Sequence, residues 1–174
     1  RPGALVENTV FYEGTNTIDL GAGDDYVAYV SYSNGVDTIT GGTGSDEYEL
    51  YGQIAGGAGH VADTITDFQA GLNGDRIRLA NVVSNFTGWT DVVNPFTSGY
   101  LKLTTLDIDG DGQADDTALQ IDRDGTAGAG AAVTVLNLLN VDAGDLTIDN
   151  FSRNGTYLGW DPAGSVNLID VTTA

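Results

Sequence analysis

The chain contains no cysteine and no methionine, one histidine, and only 6 lysine and arginine residues among 174. Without cysteine the protein cannot form a disulfide, a thiolate metal site or a thiol nucleophile. The single histidine, His60, excludes a metal centre built from several imidazole groups. No apolar run approaches the roughly 18 residues that a membrane-spanning helix needs, so no insertion into a membrane is expected.

Charge of one sign dominates the sequence, because 25 acidic residues against 6 basic ones give a net charge of -19. Such a chain repels itself when it is compact, and it repels nucleic acid, so no nucleic-acid partner is expected. The acids either form a solubilising surface or bind cations. Glycine is also abundant, with 25 residues, and many acids sit in glycine-rich turns, which favours cation binding.

One short phrase recurs in the first third of the chain: a carboxylate or amide, any residue, then an apolar residue. It begins at Asn16 and Asp25, nine residues apart, and again at Asp37 and Asp46, also nine apart. A fixed period of this kind predicts stacked repeats. Glycines that precede these acids are Gly21, Gly23, Gly35, Gly41, Gly42 and Gly44. Glycine allows tight turns, the acids offer hard oxygen ligands and the apolar residue fills a narrow core, so calcium is the indicated metal. Turns with solvated aspartates are the alternative.

A second acidic segment spans residues 107–116. Its oxygen-bearing side chains alternate along the chain at Asp107, Asp109, Asp111, Gln113 and Asp115, and Asp116 follows. The spacing resembles that of an EF-hand loop, but Ala118 stands in place of the bidentate glutamate and strands flank the segment. We therefore predict a hairpin turn clamped by calcium, with Asp116, Asp122 or Asp124 as the replacement ligand. A solvated acidic turn is the alternative.

The remainder of the chain indicates β-structure. Its apolar runs are short, rich in Val, Ile, Thr and Tyr, and separated by glycine, and no amphipathic helix is evident. Alternation in residues 101–109 and 117–122 predicts a hairpin, and residues 133–141 and 146–151 are predicted to form further strands.

Residues 41–49 match the pattern Gly-Gly-x-Gly-x-Asp-x-apolar-x at every defined position, with Tyr48 in place of the usual aliphatic residue. The chain therefore resembles the RTX family, whose hemolysin-type nonapeptide repeat binds calcium. Residues 63–79 resemble the segment that follows these repeats in type I secretion substrates, and residues 136–151 resemble the carboxy-terminal target region of those substrates.

The resemblance implies a flattened parallel β-roll in which carboxylates two turns apart share a calcium ion. Carried over to this chain, Asp25 faces Asp46 on one edge, and Asn16 faces Asp37 on the other. Several Ca2+ ions are expected in all. The residues expected to bind them, from the repeats and from the hairpin turn, are Asn16, Gly21, Gly23, Asp24, Asp25, Gly35, Asp37, Gly42, Gly44, Asp46, Asp63, Asp67, Asp107, Asp109, Asp111, Gln113, Asp115 and Asp116.

We thus predict an all-β protein in two parts. A short calcium-binding parallel β-roll with an N-terminal strand occupies residues 1–69. An antiparallel β-sandwich-like capping region, which includes the segment similar to the secretion target region, occupies residues 70–174. A cap is expected because stacked repeats expose their core at an open end.

The expected function is calcium-dependent folding and structural support in a secreted bacterial protein at the cell surface, either an adhesin or another extracellular structural protein. No enzymatic activity is expected, because serine-hydrolase and zinc-protease motifs are absent and His60 fits a loop. Three alternatives stay open: a self-assembling S-layer or filament subunit, the calcium-binding carboxy-terminal module of a secreted protease or lipase, and a carbohydrate-binding module. Besides calcium, the partners considered are other copies of the chain and cell-surface glycans.

Overall fold

The computed structural model describes residues 2–6, 14–30, 35–51, 61–153 and 156–157. In this part of the chain, strands numbered in chain order form two six-stranded sheets. In spatial order the first sheet contains β1 (Pro2–Val6), β3 (Asp24–Val30), β5 (Glu47–Leu50), β7 (Arg76–Arg78), β11 (Phe151–Arg153) and β12 (Thr156–Tyr157). The second sheet contains β2 (Thr17–Asp19), β4 (Thr38–Thr40), β6 (Asp63–Ile65), β10 (Val133–Leu138), β9 (Asp116–Ile121) and β8 (Leu101–Leu106).

From β1 to β7 the chain alternates between the two sheets, and each strand pairs in parallel with the strand two elements earlier. In the first sheet Val27, Tyr48 and Ile77 lie in register, and all three are buried. In the second sheet Ile39 lies beside Ile65 in the same way. The apolar residue of each repeat therefore points into a core shared by the two sheets, as the period-2 alternation of a strand requires.

Parallel stacking continues beyond the repeats. β10 pairs in parallel with β6, so that Leu136 lies beside Asp63, and β11 pairs in parallel with β7, so that Phe151 lies beside Ile77. These two strands add one more coil to the roll. The division of the chain at residues 69 and 70 stays a prediction, and strands from both of its parts pair within each sheet.

The cap is antiparallel. β8 and β9 form a hairpin that extends the second sheet from β10, and β12 extends the first sheet from β11. The described helices are short: α1 (Ala80–Val83) and three 3-10 helices, Gly125–Ala127, Ala143–Asp145 and Ile148–Asn150. In the described part of the chain, no helix has the length and apolar character needed to cross a membrane. The prediction of an all-β protein with parallel and antiparallel sheets is confirmed.

The predicted strand over residues 146–151 is wrong for most of its length. Ile148–Asn150 forms a 3-10 helix, and β11 begins only at Phe151. The side chain of Thr147 accepts the N–H of Asp149, and the side chain of Asn150 accepts the N–H of Thr147. This capping box satisfies the backbone locally and so favours a helical turn over an extended strand.

Candidate metal sites

Aspartate and asparagine side chains of successive coils stack in two columns, each at the point where the turns on one side of the roll lead into strands. The first column contains Asp25, Asp46 and Asp75, and the second contains Asn16, Asp37 and Asp63. Every aspartate in these columns is buried. The columns exist because the repeat places one aspartate or asparagine at the same position of each coil, and parallel pairing holds equivalent positions side by side.

One hydrogen bond recurs along both columns: a carboxylate accepts the backbone N–H of the corresponding residue in the preceding coil. In the first column Asp46 accepts from Asp25 at 2.8 Å, and Asp75 accepts from Asp46 at 2.9 Å. In the second column Asp37 accepts from Asn16 at 2.9 Å, and Asp63 accepts from Asp37 at 2.8 Å. Each of these bonds engages the Oδ1 oxygen, so the second oxygen of each carboxylate takes no part in it.

The predicted placements of Asp25 beside Asp46 and of Asn16 beside Asp37 are confirmed. In the second pair the amide Nδ2 of Asn16 also donates to Asp37 at 2.8 Å. Sequence reasoning missed Asp75, although Asp75-Arg76-Ile77 repeats the phrase of an acid, any residue and an apolar residue. Asp75 lies 29 residues after Asp46, whereas Asp46 lies 21 residues after Asp25, so a search for a constant period does not find it.

The glycines of the repeat allow the turns to stack closely. Gly21 and Gly42 occupy equivalent positions with φ of 90° and 95°. A Cβ on Gly42 would stand 1.7 Å from the carbonyl oxygen of Gly21, and a Cβ on Gly44 would stand 2.0 Å from that of Gly23. The same turns are joined by the N–H of Thr43, which donates to Gly21 at 2.9 Å. Only glycine fits at this separation.

Charge is concentrated in the first column. Burial raises the pKa of Asp46, and the nearby charges of Asp25 and Asp67 raise it further. Burial likewise raises the pKa of Asp75 to about 6, with Asp46 and Asp67 again contributing. Both shifts mean that the fold disfavours the ionised carboxylates. A cation held between them would reverse this effect, and an all-oxygen environment suits a hard cation such as calcium.

A specific observation shows that the first column fits a cation. The Oδ2 atom of Asp46 is buried and has no hydrogen-bond partner among the described residues. It lies 2.4 Å from the point where a Cβ of residue 41 would stand, so residue 41 must be glycine for this oxygen to occupy its position. A buried carboxylate oxygen without a donor is costly unless a cation or a polar group meets it.

Other predicted ligands of the roll lie in the same turns, but their oxygens bind backbone N–H groups. Asp67 accepts from Gly41 at 2.9 Å and from Gly42 at 2.7 Å, so both of its oxygens are engaged. The exposed Asp24 accepts from Ser45 at 3.0 Å. Gly35 is buried two residues before Asp37. These residues shape the turns around the columns.

The β8–β9 hairpin forms the second candidate site. Carboxylate oxygens of Asp107, Asp109 and Asp116 lie within 4.8 Å of one another. Asp107 accepts the N–H groups of Gly110 and Gly112, at 2.8 and 3.2 Å, which folds the loop around its carboxylate.

The remaining predicted ligands of the hairpin lie beside this cluster. Gln113 donates to Asp111 from its backbone N–H and its Nε2, at 2.7 and 2.9 Å, so the two residues bind each other. Burial raises the pKa of Asp115, and the charges of Asp111 and Asp116 add to this shift. Asp122 and Asp124 are not ligands of this loop, because they follow the far end of β9, roughly 17–20 Å away at 3.3 Å per residue.

Asp116 fastens the hairpin to the roll. Its carboxylate is fully buried and accepts the N–H groups of Asn140, Ile108 and Asp109, at 2.8, 2.6 and 3.1 Å. Burial alone would raise the pKa of Asp116, but these three donors together leave it below the ordinary value. The ionised carboxylate is therefore the form that the fold prefers.

Replacing Asp116 by alanine is expected to lower the free energy of unfolding by about 3 kcal/mol, because three N–H donors lose their charged acceptor. Asp109→Ala is the matched control, since it removes a carboxylate from the same cluster but one that is exposed. The control is expected to lose about 1 kcal/mol or less. Urea unfolding of both variants at the same saturating calcium concentration makes the comparison, and equal losses would show that the three bonds do not stabilise the fold.

Comparison with known proteins gives a likeness in fold. No protein-family model matches the chain, and no curated protein matches it in sequence. Among solved structures, it is similar to the AlgE6R3 subunit of the mannuronan C5-epimerase from Azotobacter vinelandii, with a TM-score of 0.51 and 20% identity over 85% of this chain and 76% of that one. The AlgE6R2 subunit of the same enzyme aligns at a TM-score of 0.37 and 21% identity, over 80% and 86% of the two chains, which is too low to support a conclusion about the fold.

Proposed function

We propose that this chain is a calcium-dependent folding and structural module of a secreted bacterial surface protein. The observation that supports this most strongly is the first column: buried carboxylates of successive coils stack on one another, and the Oδ2 atom of Asp46 has no hydrogen-bond partner among the described residues. The net charge of -19 also favours cation binding, because a compact acidic protein needs positive counter-charge.

Calcium would supply that counter-charge at the turns. Asp25 and Asp46 would hold an ion in the first column, with Asp75 continuing the same column, and Asp37 and Asp63 would hold one in the second. Calcium takes roughly 6–8 oxygen ligands, so backbone carbonyls would complete each shell. Binding that requires the folded state adds about 2.7 kcal/mol of stability per site at a calcium concentration of 100 times Kd. Several sites therefore suffice to decide whether the roll folds.

The same coupling explains where the protein would work. In a calcium-poor cytosol, charge repulsion and the entropy of glycine keep the turns open. In calcium-rich surroundings outside the cell, the turns close around the ions. We therefore place the protein outside the cell, with a structural role in an adhesin or another extracellular assembly and no catalytic role. The hairpin cluster of Asp107, Asp109 and Asp116 would bind a further ion beside the roll.

A second candidate is a non-catalytic calcium-binding module of a larger secreted enzyme. The similarity in fold to a subunit of an epimerase favours it, because that relative is itself a part of an enzyme. The sequence on either side of this module in its parent protein distinguishes the two candidates. A catalytic domain there would support the enzyme module, and further repeats or surface-attachment segments would support the structural protein.

Circular dichroism with calcium and then with a chelator tests the calcium proposal. With calcium we expect a β-sheet spectrum and a single cooperative unfolding transition, and with chelator the loss of both. Magnesium at the same concentration is the control, and it should restore much less structure, because it demands octahedral geometry and gives up its water reluctantly. A chelated protein with the same spectrum and the same urea midpoint would refute the proposal.

A further inference from the structure

Two buried oxygen atoms lie close to the same point at one corner of the roll. The hydroxyl oxygen of Tyr48 and the Oδ2 atom of Asp46 lie 2.2 and 2.4 Å from the point where a Cβ of residue 41 would stand. Tyr48 is fully buried and Asp46 is 1% exposed. Neither oxygen has a hydrogen-bond partner among the described residues. A phenol and a carboxylate therefore present unused oxygens to the same point, inside the turn that the calcium proposal concerns.

The backbone places Tyr48 there. It is the second residue of β5 and lies in register between Val27 and Ile77, so its side chain must point into the roll. Its ring packs near that of Phe68, with 6.1 Å between the ring centroids. An aliphatic residue at this position would end within the apolar core. Tyrosine is longer and carries its oxygen past the core to the start of the turn at Gly41.

The equivalent corners of the neighbouring coils are apolar. The residue five positions before the column aspartate is Leu20 in the preceding coil and Ala70 in the next, and both pack against the core. In the coils of Leu20 and Ala70, the position of Tyr48 is occupied by Val27 and Ile77, which have no polar atom in their side chains. In the coil of Tyr48 the corner residue is Gly41, because any side chain there would collide with the tyrosine hydroxyl group. The coil of Asp46 is thus the one described coil of this column with an additional polar oxygen at the corner.

We infer that the hydroxyl of Tyr48 is a ligand of the cation held by Asp46, an inference that rests on the calcium proposal and extends it to one further residue. A phenol that keeps its proton is a neutral oxygen ligand. The site in this coil would then gain an oxygen ligand without gaining negative charge.

The test compares Tyr48→Phe with Tyr26→Phe by urea unfolding at a series of calcium concentrations. Phenylalanine keeps the ring of Tyr48 and removes only its oxygen. Tyr26 precedes Val27 on the outer face of the same sheet, where its hydroxyl bonds to Glu49, so it is the matched control. We expect calcium affinity to fall about tenfold in Tyr48→Phe, the lower end of what loss of a supporting metal contact costs.

The dependence on calcium separates a ligand from a packing residue. If Tyr48 binds the ion, the stability gap between parent and Tyr48→Phe widens as calcium rises and levels off at a tenfold difference in affinity, while the gap for Tyr26→Phe stays constant. A Tyr48→Phe gap that does not change with calcium would overturn the inference and leave the calcium proposal intact. A parent protein whose stability ignores calcium would overturn the calcium proposal itself.

A second variant covers the case in which Tyr48→Phe does not fold at any calcium concentration. Tyr48→Leu carries the aliphatic side chain that is usual at this position of the repeat, and it should fold with the same loss of affinity. Terbium, a calcium substitute that nearby tyrosine rings sensitise, tests whether the ion lies beside Tyr48. Its emission should be strong in the parent and in Tyr26→Phe but weak in Tyr48→Leu. Equal emission from all three proteins would contradict the assignment of Tyr48 as a ligand.

Discussion

Replacing Gly42 by alanine is expected to lower the free energy of unfolding by more than 4 kcal/mol, a loss that few single substitutions reach. Two costs combine in this variant. The positive φ of 95° is unfavourable for alanine, and the new Cβ would stand 1.7 Å from the carbonyl oxygen of Gly21. That oxygen belongs to the stacked turn above, so the clash can be relieved only if the two coils separate.

Gly21→Ala is the control that isolates the stacking cost. Gly21 has a φ of 90° and the same position in the repeat, but a Cβ there would meet no atom within 4 Å. Backbone strain alone predicts a loss of about 1–3 kcal/mol for this variant. Urea or thermal unfolding at saturating calcium measures both, and a similar loss in the two variants would show that close stacking of the coils is not what requires glycine at position 42.

Replacing Asp46 by alanine is expected to raise the calcium concentration at the folding midpoint by about 10–100-fold. The substitution removes a carboxylate from the centre of the first column and leaves the buried N–H of Asp25 without its acceptor. The β8–β9 hairpin, whose candidate site has its own carboxylates, should be affected less. Circular dichroism during a calcium titration gives the midpoint.

Two further variants separate charge from hydrogen bonding at Asp46. Asp19→Ala changes the net charge by the same amount at an exposed position of β2, so it controls for the loss of one negative charge. Asp46→Asn keeps an oxygen that can accept the N–H of Asp25 and should give a midpoint between those of Asp46→Ala and the parent. Equal midpoints for Asp46→Ala and Asp19→Ala would contradict a role for Asp46 in binding calcium.

The roll was predictable from sequence wherever the period held. The resemblance to the RTX repeat, in which equivalent residues of parallel coils stack, implied that Asp25 lies beside Asp46, although 21 residues separate the two. Asp75 was missed because it lies 29 residues after Asp46, whereas Asp46 lies 21 residues after Asp25, although the local pattern of an acid, any residue and an apolar residue is intact. A search for the phrase, in place of the period, would have found it.

The last coil was not predictable in this way. β10 has the apolar character of an ordinary strand, and nothing local in residues 133–138 indicates that its partner is β6. Strand partners at long sequence separation are chosen by the whole fold, as the context dependence of β-propensity implies. The 3-10 helix at Ile148–Asn150 shows the opposite case, in which side-chain bonds of Thr147 and Asn150 override an apolar pattern.

Tyr48 shows that the size of a residue can be as informative as its class. Sequence reasoning counts tyrosine as an acceptable substitute for an aliphatic residue in the repeat, since both are largely apolar. The structure shows that the extra length brings an oxygen to the corner at Gly41. The residue five positions before the aspartate is glycine in this coil, which leaves room for the hydroxyl of Tyr48, and it is leucine or alanine in the neighbouring coils.

The strands of the final coil come late in the sequence, and this has a consequence for biosynthesis. The second neighbour of β6 is β10, and the second neighbour of β7 is β11. Both lie far along the chain: Asp63 of β6, for example, pairs with Leu136. Until those residues have left the ribosome, a nascent chain that folded early would display two open strand edges, which are templates for aggregation. A chain that stays unfolded until calcium reaches it never displays those edges while it is incomplete.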